Sequence, residues 1–299
     1  MNSHDRPMLG ILLMLGFCLM APLGDAMAKV LGASITVAQI LLVRFAVQGL
    51  ILIPIAILTG RSLRMTARVQ RLAWVRMGLH VIGIGAMFTS LIYLPLADAI
   101  AIAFVMPFIL LLLGKVFLSE EIGARRLIAC AIGFVGTLLV VQPSFVEVGA
   151  PALLPLIVAV VFALFMVVTR AIAKDVDPIT LQGWNGAMAM VILAPLVLLG
   201  DTYGLEAANW RAPSIPTWAL LIGVGLLGTV AHLFMTWSLR FAPSATLAPM
   251  QYLEIPIATV IGWLVFKDFP NGLAALGIAI TCAAGLYVIL RERAIARQR

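Results

Sequence analysis

Charge is what this sequence lacks most. Only 11% of its 299 residues are Asp, Glu, Lys or Arg, where a soluble domain averages about 25%. A chain so poor in charge cannot solvate a water-facing surface. With 63% hydrophobic residues and a mean hydropathy of +1.12, its solvent is lipid. Cysteine is scarce too. Cys18, Cys130 and Cys282 stand singly inside apolar runs without C-x-x-C spacing, which argues against a disulfide framework and against a metal site. The phosphate-cradling pattern G-x-x-x-x-G-K-[ST] is missing, because "LLLLGKVFLS" (110–119) lacks the first Gly, so no ATP-driven cycle is expected. No H-E-x-x-H helix, catalytic cysteine setting or clustered aspartates suggest an enzyme, and no cofactor is expected.

What is present is apolar and long. A spanning helix needs about 20 mainly apolar residues. Turn and charge punctuation divides the chain into ten such runs: 8–31, 36–58, 72–93, 96–117, 124–141, 151–173, 178–200, 217–239, 244–266 and 271–290. Their length favours helix over strand, so the fold class expected is an all-α integral membrane protein. The longest polar connections, "TGRSLRMTARVQR" (59–71) and "DTYGLEAANWRAPSIP" (201–216), leave no room for a soluble domain. Arg6, the apolar run from Met8 and Ala26-Met27-Ala28 have features of a secretory leader. The run is long for one, however, and the A-x-A pattern recurs at 171–173, so a retained first helix is expected.

The net charge of +7 does not point to nucleic acid, because the basic residues flank helices in separate loops. With both termini cytoplasmic, sixteen of the twenty Lys and Arg fall inside, Arg76 among them. Lys29, Arg211 and Lys267 fall outside, and Arg44 is left within the membrane. That asymmetry sets the expected orientation.

The chain also repeats itself. "AMAKVLGASITVAQ" (26–39) returns as "AIAKDVDPITLQ" (171–182). Pro107, Phe117, Gly123 and Gly136 match Pro256, Phe266, Gly272 and Gly285 at an offset of 149, while Leu91, Pro95 and Ala97 match Leu239, Pro243 and Ala245 at 148. Two copies of five helices are expected, 1–145 and 146–299. Because five is odd, the second enters the membrane from the opposite side, with Lys29 and Lys174 at opposite faces. Inverted repeats of this kind suit a secondary transporter with a site between its halves.

"LIYLPLADAIAIAFVMPFILLLLGKVFLSEE" (91–121), "SLRFAPSATLAPMQYLEIPIATVIGWLVFKD" (238–268) and "ILLVRF" (40–45) resemble the two half-signatures and the second helix of ten-helix EamA-type exporters in the drug/metabolite transporter superfamily. The resemblance covers nearly the whole chain, and it is nearest to the bacterial aromatic amino acid exporter branch. It implies the bacterial inner membrane, a small-molecule substrate and a cavity formed by helices one, three, four, six, eight and nine. The residues point the same way. Pro107 and Pro256 interrupt equivalent helices, and paired interruptions mark transporter sites.

Intramembrane ionisable groups are few: Asp25, Arg44, His80, Asp98, His232 and Glu254. Glu254 lies about 15 Å into helix nine, with Gln251 three residues earlier on its face. It is a candidate anchor for a substrate ammonium group, a proton carrier, or a partner for backbone freed around Pro256. His80 lies about 12 Å into helix three, on a face continuing through Ile84 and Met87. It serves either the cavity or a buried structural bond. His232 has a similar depth, but two histidines without a third ligand do not make a metal site. Met87, Phe104 and Tyr252 are candidates for an adaptable apolar wall. A guanidinium at the depth of Arg44 is costly alone, so a structural ion pair with Asp25 or Asp98 is expected.

The function expected is export of amino acids and related small molecules by a secondary transporter. A proton-coupled exporter of xenobiotic cations through Glu254 and a channel or receptor are the alternatives.

Overall fold

The computed structural model describes residues 6–119, 123–200, 202–268 and 272–297. Expectations at Glu120, Glu121, Asp201, Asn271 and the two chain ends lie outside them. The described residues form helices and turns, with no strand among them. In lipid a chain must satisfy its own backbone, and an α-helix does so within a single segment.

Twelve α-helices build ten spans. In the first half these are α1 (Pro7–Gly32), α2 (Val37–Leu58), α3 (Ala67–Tyr93), the broken pair α4 (Leu96–Ala103) and α5 (Met106–Leu118), and α6 (Ala124–Val148). The second half repeats the order with α7 (Leu154–Ile172), α8 (Pro178–Leu198), α9 (Ile215–Phe241), the broken pair α10 (Ser244–Leu247) and α11 (Glu254–Phe266), and α12 (Gly272–Arg297). Eight spans are long and apolar enough to cross a bilayer, and α6 and α12 contain shorter apolar stretches.

The local chemistry repeats as well. Hydroxyl caps open the third and eighth spans: Thr66 accepts from the Val69 amide at 3.3 Å, and Ser214 from the Thr217 amide at 3.4 Å. Pro95 and Pro243 open the fourth and ninth spans with nearly the same backbone angles. Those spans end at Ser119 and Lys267, the two non-glycine residues with positive φ among the described residues. All three matches have an offset of 148 residues.

Both spans that carry the paired prolines are interrupted, and each proline stands just after the break. Pro107 and Pro256 do not kink continuous helices. Each sits in the first turn of a helix, α5 or α11, where a missing amide donor costs little. The interruption lies upstream, at Phe104–Val105 in one half and in a 3-10 segment, Ala248–Leu253, in the other.

Packing between the halves is reciprocal. The most extensive contacts join α1 to α9, α2 to α8, α6 to α12 and α3 to α7. Counted as spans, one meets eight while three meets six, and two and five each meet their own counterparts. Exchange of partners in this way is what a two-fold relation between halves requires. The self-paired helices touch through glycine: an added Cβ at Gly186 would lie 2.5 Å from the Gly49 amide nitrogen, and one at Gly136 would lie 2.8 Å from the Gly277 carbonyl oxygen. Small residues let membrane helices approach this closely.

The connections gather at opposite ends of the bundle. At one end Arg61 pairs with Asp177, Arg68 pairs with Asp175 at 2.8 Å, and Trp184 donates to the Leu63 carbonyl at 3.1 Å. At the other, Gln39 exchanges two hydrogen bonds with the Arg211 backbone, at 2.8 and 2.9 Å. Lys29 lies toward this second end, where its ammonium donates to the Leu94 carbonyl, while Lys174 lies at the first.

Candidate functional site

The reciprocal packing leaves a central cavity of about 730 Å³, its mouth included. Its walls come from α1, α2, α3, the break between α4 and α5, α7, α9 and the start of α11. Most of the lining is apolar, with Phe17, Phe88, Phe104 and Phe162 supplying aromatic faces and Met20, Met87 and Met106 the flexible ones. Four side chains bring ionisable groups to it: Asp25, Arg44, His232 and Glu254.

The ninth span presents Glu254 because it breaks. The 3-10 segment ends at Leu253, and Glu254 begins α11, so the carboxyl stands at the positive end of a helix dipole within the span. It is only 7% exposed, yet neither it nor Asp25 accepts a hydrogen bond from the described residues. The reading in which Glu254 satisfies backbone near Pro256 is therefore not realised. Asp25 lies within electrostatic reach of both Arg44 and Glu254.

Arg44 corrects one expectation. No ion pair within 4 Å joins it to Asp25 or Asp98. Its neighbours are two histidines, His232 Nδ1 at 3.1 Å and His80 Nε2 at 3.5 Å from Nη2, with the guanidinium over the Phe45 ring at 4.8 Å. Asp98 belongs to the first turn of α4 and lies within electrostatic reach of Lys29. Arg44 Nη1 is buried and has no partner among the described residues, and neither has His232 Nε2.

Behind this wall lies a second polar layer that the sequence reading missed. Arg76, counted there among cytoplasmic charges, is wholly buried in α3. Its Nε donates to Thr169 Oγ1 at 2.8 Å and its Nη1 to Asn185 Oδ1 at 2.8 Å and Gln182 Oε1 at 3.4 Å. Nη2 donates to Thr236 Oγ1 at 3.3 Å. The Phe165 ring lies 4.5 Å beneath it. Gln48 extends the layer through the Gln182 carbonyl at 2.7 Å. Every partner of Arg76 belongs to the second half, so the layer ties the halves together with neutral acceptors alone.

This layer also assigns protons. Arginine can only donate, so Asn185 must turn Oδ1 to Arg76 and its amide Nδ2 to His80 Nδ1, 3.0 Å away. His80 Nδ1 is then the acceptor and Nε2 carries the hydrogen, which makes the 3.5 Å approach of Arg44 a contact and not a bond. His232 Nδ1 lies 3.1 Å from Arg44 Nη2 and 2.9 Å from the Gly228 carbonyl and serves one of them: it accepts from Arg44 in one tautomer and donates to Gly228 in the other. His232 Nε2 has no partner among the described residues in either. The His80 tautomer follows from the bonding network.

The remaining expected site residues divide. Met87 and Phe104 line the cavity beside Glu254. His80 stands behind it, among Phe45, Phe165 and His232. Gln251 and Tyr252 are wholly buried in the 3-10 segment and do not line it. Gln251 Nε2 faces the Met166 sulfur at 3.5 Å, and Tyr252 donates to the Cys130 carbonyl at 3.1 Å with its ring packed on Gly133. Phe17, Phe162 and His232 take their places at the walls. The signal for His232 was legible, since a histidine in the middle of an apolar run must face something polar.

Known proteins agree with this architecture. A riboflavin transporter of Rhizobium johnstonii is 32% identical over 218 residues, 73% of this chain and 69% of that protein. An S-adenosylmethionine uptake transporter of Rickettsia bellii is 24% identical over 90% of this chain and 89% of its own. A pseudopaline exporter of Pseudomonas aeruginosa is 23% identical over 92% and 91%. One crystal structure superposes with a TM-score of 0.70 at 19% identity over 97% of this chain and 98% of that one, a likeness of fold. These relatives are described by riboflavin, S-adenosylmethionine and pseudopaline and not by amino acids. What they share with this chain is membrane transport of small molecules. The model of the EamA-like transporter family matches twice, at residues 8–142 and 150–291, so this multi-pass membrane protein belongs to the EamA-like transporter family.

Proposed function

We propose that this transporter moves amino acids and related small metabolites across the bacterial inner membrane by alternating access, working as an exporter with both termini cytoplasmic. The halves, 1–145 and 146–299, turn against each other about the central cavity. The observation that carries this reading is the cavity itself. It lies between reciprocally packed halves, it is walled by aromatic and methionine side chains, and it holds four ionisable groups in a lining otherwise almost wholly apolar. Charged groups at that depth are retained at a cost unless a ligand uses them.

The excess of two carboxyls over one guanidinium favours a second reading, a proton-coupled exporter of organic cations. Substrate counterflow in proteoliposomes separates the two. Radiolabelled L-phenylalanine is expected to exchange saturably, accelerated by amino acid on the far side and not by a lipophilic cation. Exchange of the cation alone would support the second reading, and flux without saturation would indicate a channel. Glu254→Gln is expected to raise the half-saturation concentration while maximal exchange changes less. Loss of pH-driven flux with normal exchange would make Glu254 the proton carrier.

A further inference from the structure

The polar groups at the cavity fall into two sets that do not satisfy each other. Arg44 Nη1 is a buried donor without an acceptor among the described residues, and it forms a donor pole with His232 Nδ1 3.1 Å from its Nη2. Asp25 and Glu254 are carboxyls that accept no hydrogen bond from the described residues. They lie within electrostatic reach of each other and form an acceptor pole. Direct neutralisation would need an ion pair between Asp25 and Arg44, and none forms within 4 Å. Phe17, Phe104 and Phe162 line the same cavity. A buried donor without an acceptor is costly, and so is a carboxylate drawn out of water without a partner. Both deficits are removed at once by a ligand that brings an acceptor to one pole and a donor to the other.

We infer that the cavity reads both ends of a zwitterion, with Arg44 binding its carboxylate, Asp25 and Glu254 binding its ammonium group, and the phenylalanines holding an aromatic or other apolar body. This rests on the transport reading above and narrows it. Arg44 thereby becomes a specificity-determining residue. Ligands with one charged end satisfy one pole and leave the other unpaired.

The test is competition for radiolabelled L-phenylalanine exchange by the full chain in proteoliposomes. The competitors are unlabelled L-phenylalanine, its methyl ester, which lacks the carboxylate, and N-acetyl-L-phenylalanine, which lacks the ammonium group. The parent is expected to compete at least about tenfold better than either analogue, since each lost charge-assisted bond is worth that much. Arg44→Gln should close the gap between parent and ester while leaving that to the N-acetyl compound. Glu254→Gln should do the reverse. If Arg44→Gln does not fold, the series on the natural protein still decides. Equal competition by all three compounds in the natural protein would overturn the two-pole site while leaving transport intact. No phenylalanine exchange at all would overturn the transport reading, and the zwitterion site with it.

Discussion

Two arginines are buried in this bundle, on adjacent helices of the same half, and their surroundings differ. Arg76 has a neutral acceptor for each of its three nitrogens, all from the opposite half. Arg44 meets two histidines through Nη2 and leaves Nη1 without a partner among the described residues, at the wall of the cavity. The first is a finished joint. The second is an unfinished one. Burial and charge alone would rank the two alike. The difference lies in whether the protein completes the hydrogen bonds itself, and a transporter site is a place where it does not.

The largest effect should come from breaking the finished joint. In Arg76→Met four acceptors lose their donor. A buried group left unpaired costs about 1–3 kcal/mol, but hydrogen bonds between membrane helices average only about 0.6 kcal/mol because partners re-form. A loss of about 2–5 kcal/mol is expected, read as thermal unfolding in detergent. Arg44→Gln should lose less than half as much stability, yet reduce phenylalanine exchange at least about tenfold. Equal destabilisation by the two substitutions would erase the distinction.

A middle-sized effect is expected at Asn185, whose side chain is bonded to both regions, to Arg76 through Oδ1 and to His80 through Nδ2. Asn185→Leu should cost about 1–3 kcal/mol. It should also raise the half-saturation concentration a few-fold, because His80 loses the bond that fixes its tautomer beside Arg44. Lost stability with unchanged half-saturation would mean that the two regions are independent.

The ten spans, their repeat and the two broken ones were legible because length, proline and glycine are one-dimensional signals. The site was legible only in part, because depth along a helix can be counted but the direction a side chain faces cannot. Asp25 and Arg44 were expected to pair, and both do reach the cavity, yet Arg44 turns to His232. Arg76 was missed for a plainer reason. The third helix was expected to begin at 72, and its true start at Ala67, capped by Thr66, puts Arg76 well inside. The clue was present: Ala73, Met77, His80, Ile84 and Met87 mark one helical face, and Arg76 lies on its edge. Tyr252 was expected at the cavity wall beside Glu254. The 3-10 winding of Ala248–Leu253 rotates it away, and no feature of the sequence distinguishes that winding from an α-turn.

The smallest effect tests that last placement. Tyr252→Phe removes one hydrogen bond to the Cys130 carbonyl and should cost about 1 kcal/mol, with the half-saturation concentration for phenylalanine unchanged. A clear change in apparent affinity would put the hydroxyl in contact with substrate.

The glycine contact between α2 and α8 gives the bundle the mechanics of a lever. Gly49 and Gly186 meet near the middle of their helices, backbone against backbone, on the one pair of spans in that region that faces its own counterpart. No side chain lies between them to compress or swing aside. In the turning of the halves proposed above, this fulcrum would move least and the helix ends most. The ion pairs of Arg61 and Arg68 at one end, and the Gln39–Arg211 bonds at the other, stand where the arms travel farthest. The ion pairs, which reach solvent, are individually weak, and weak bonds at the tips of a long arm can be exchanged without disturbing the pivot.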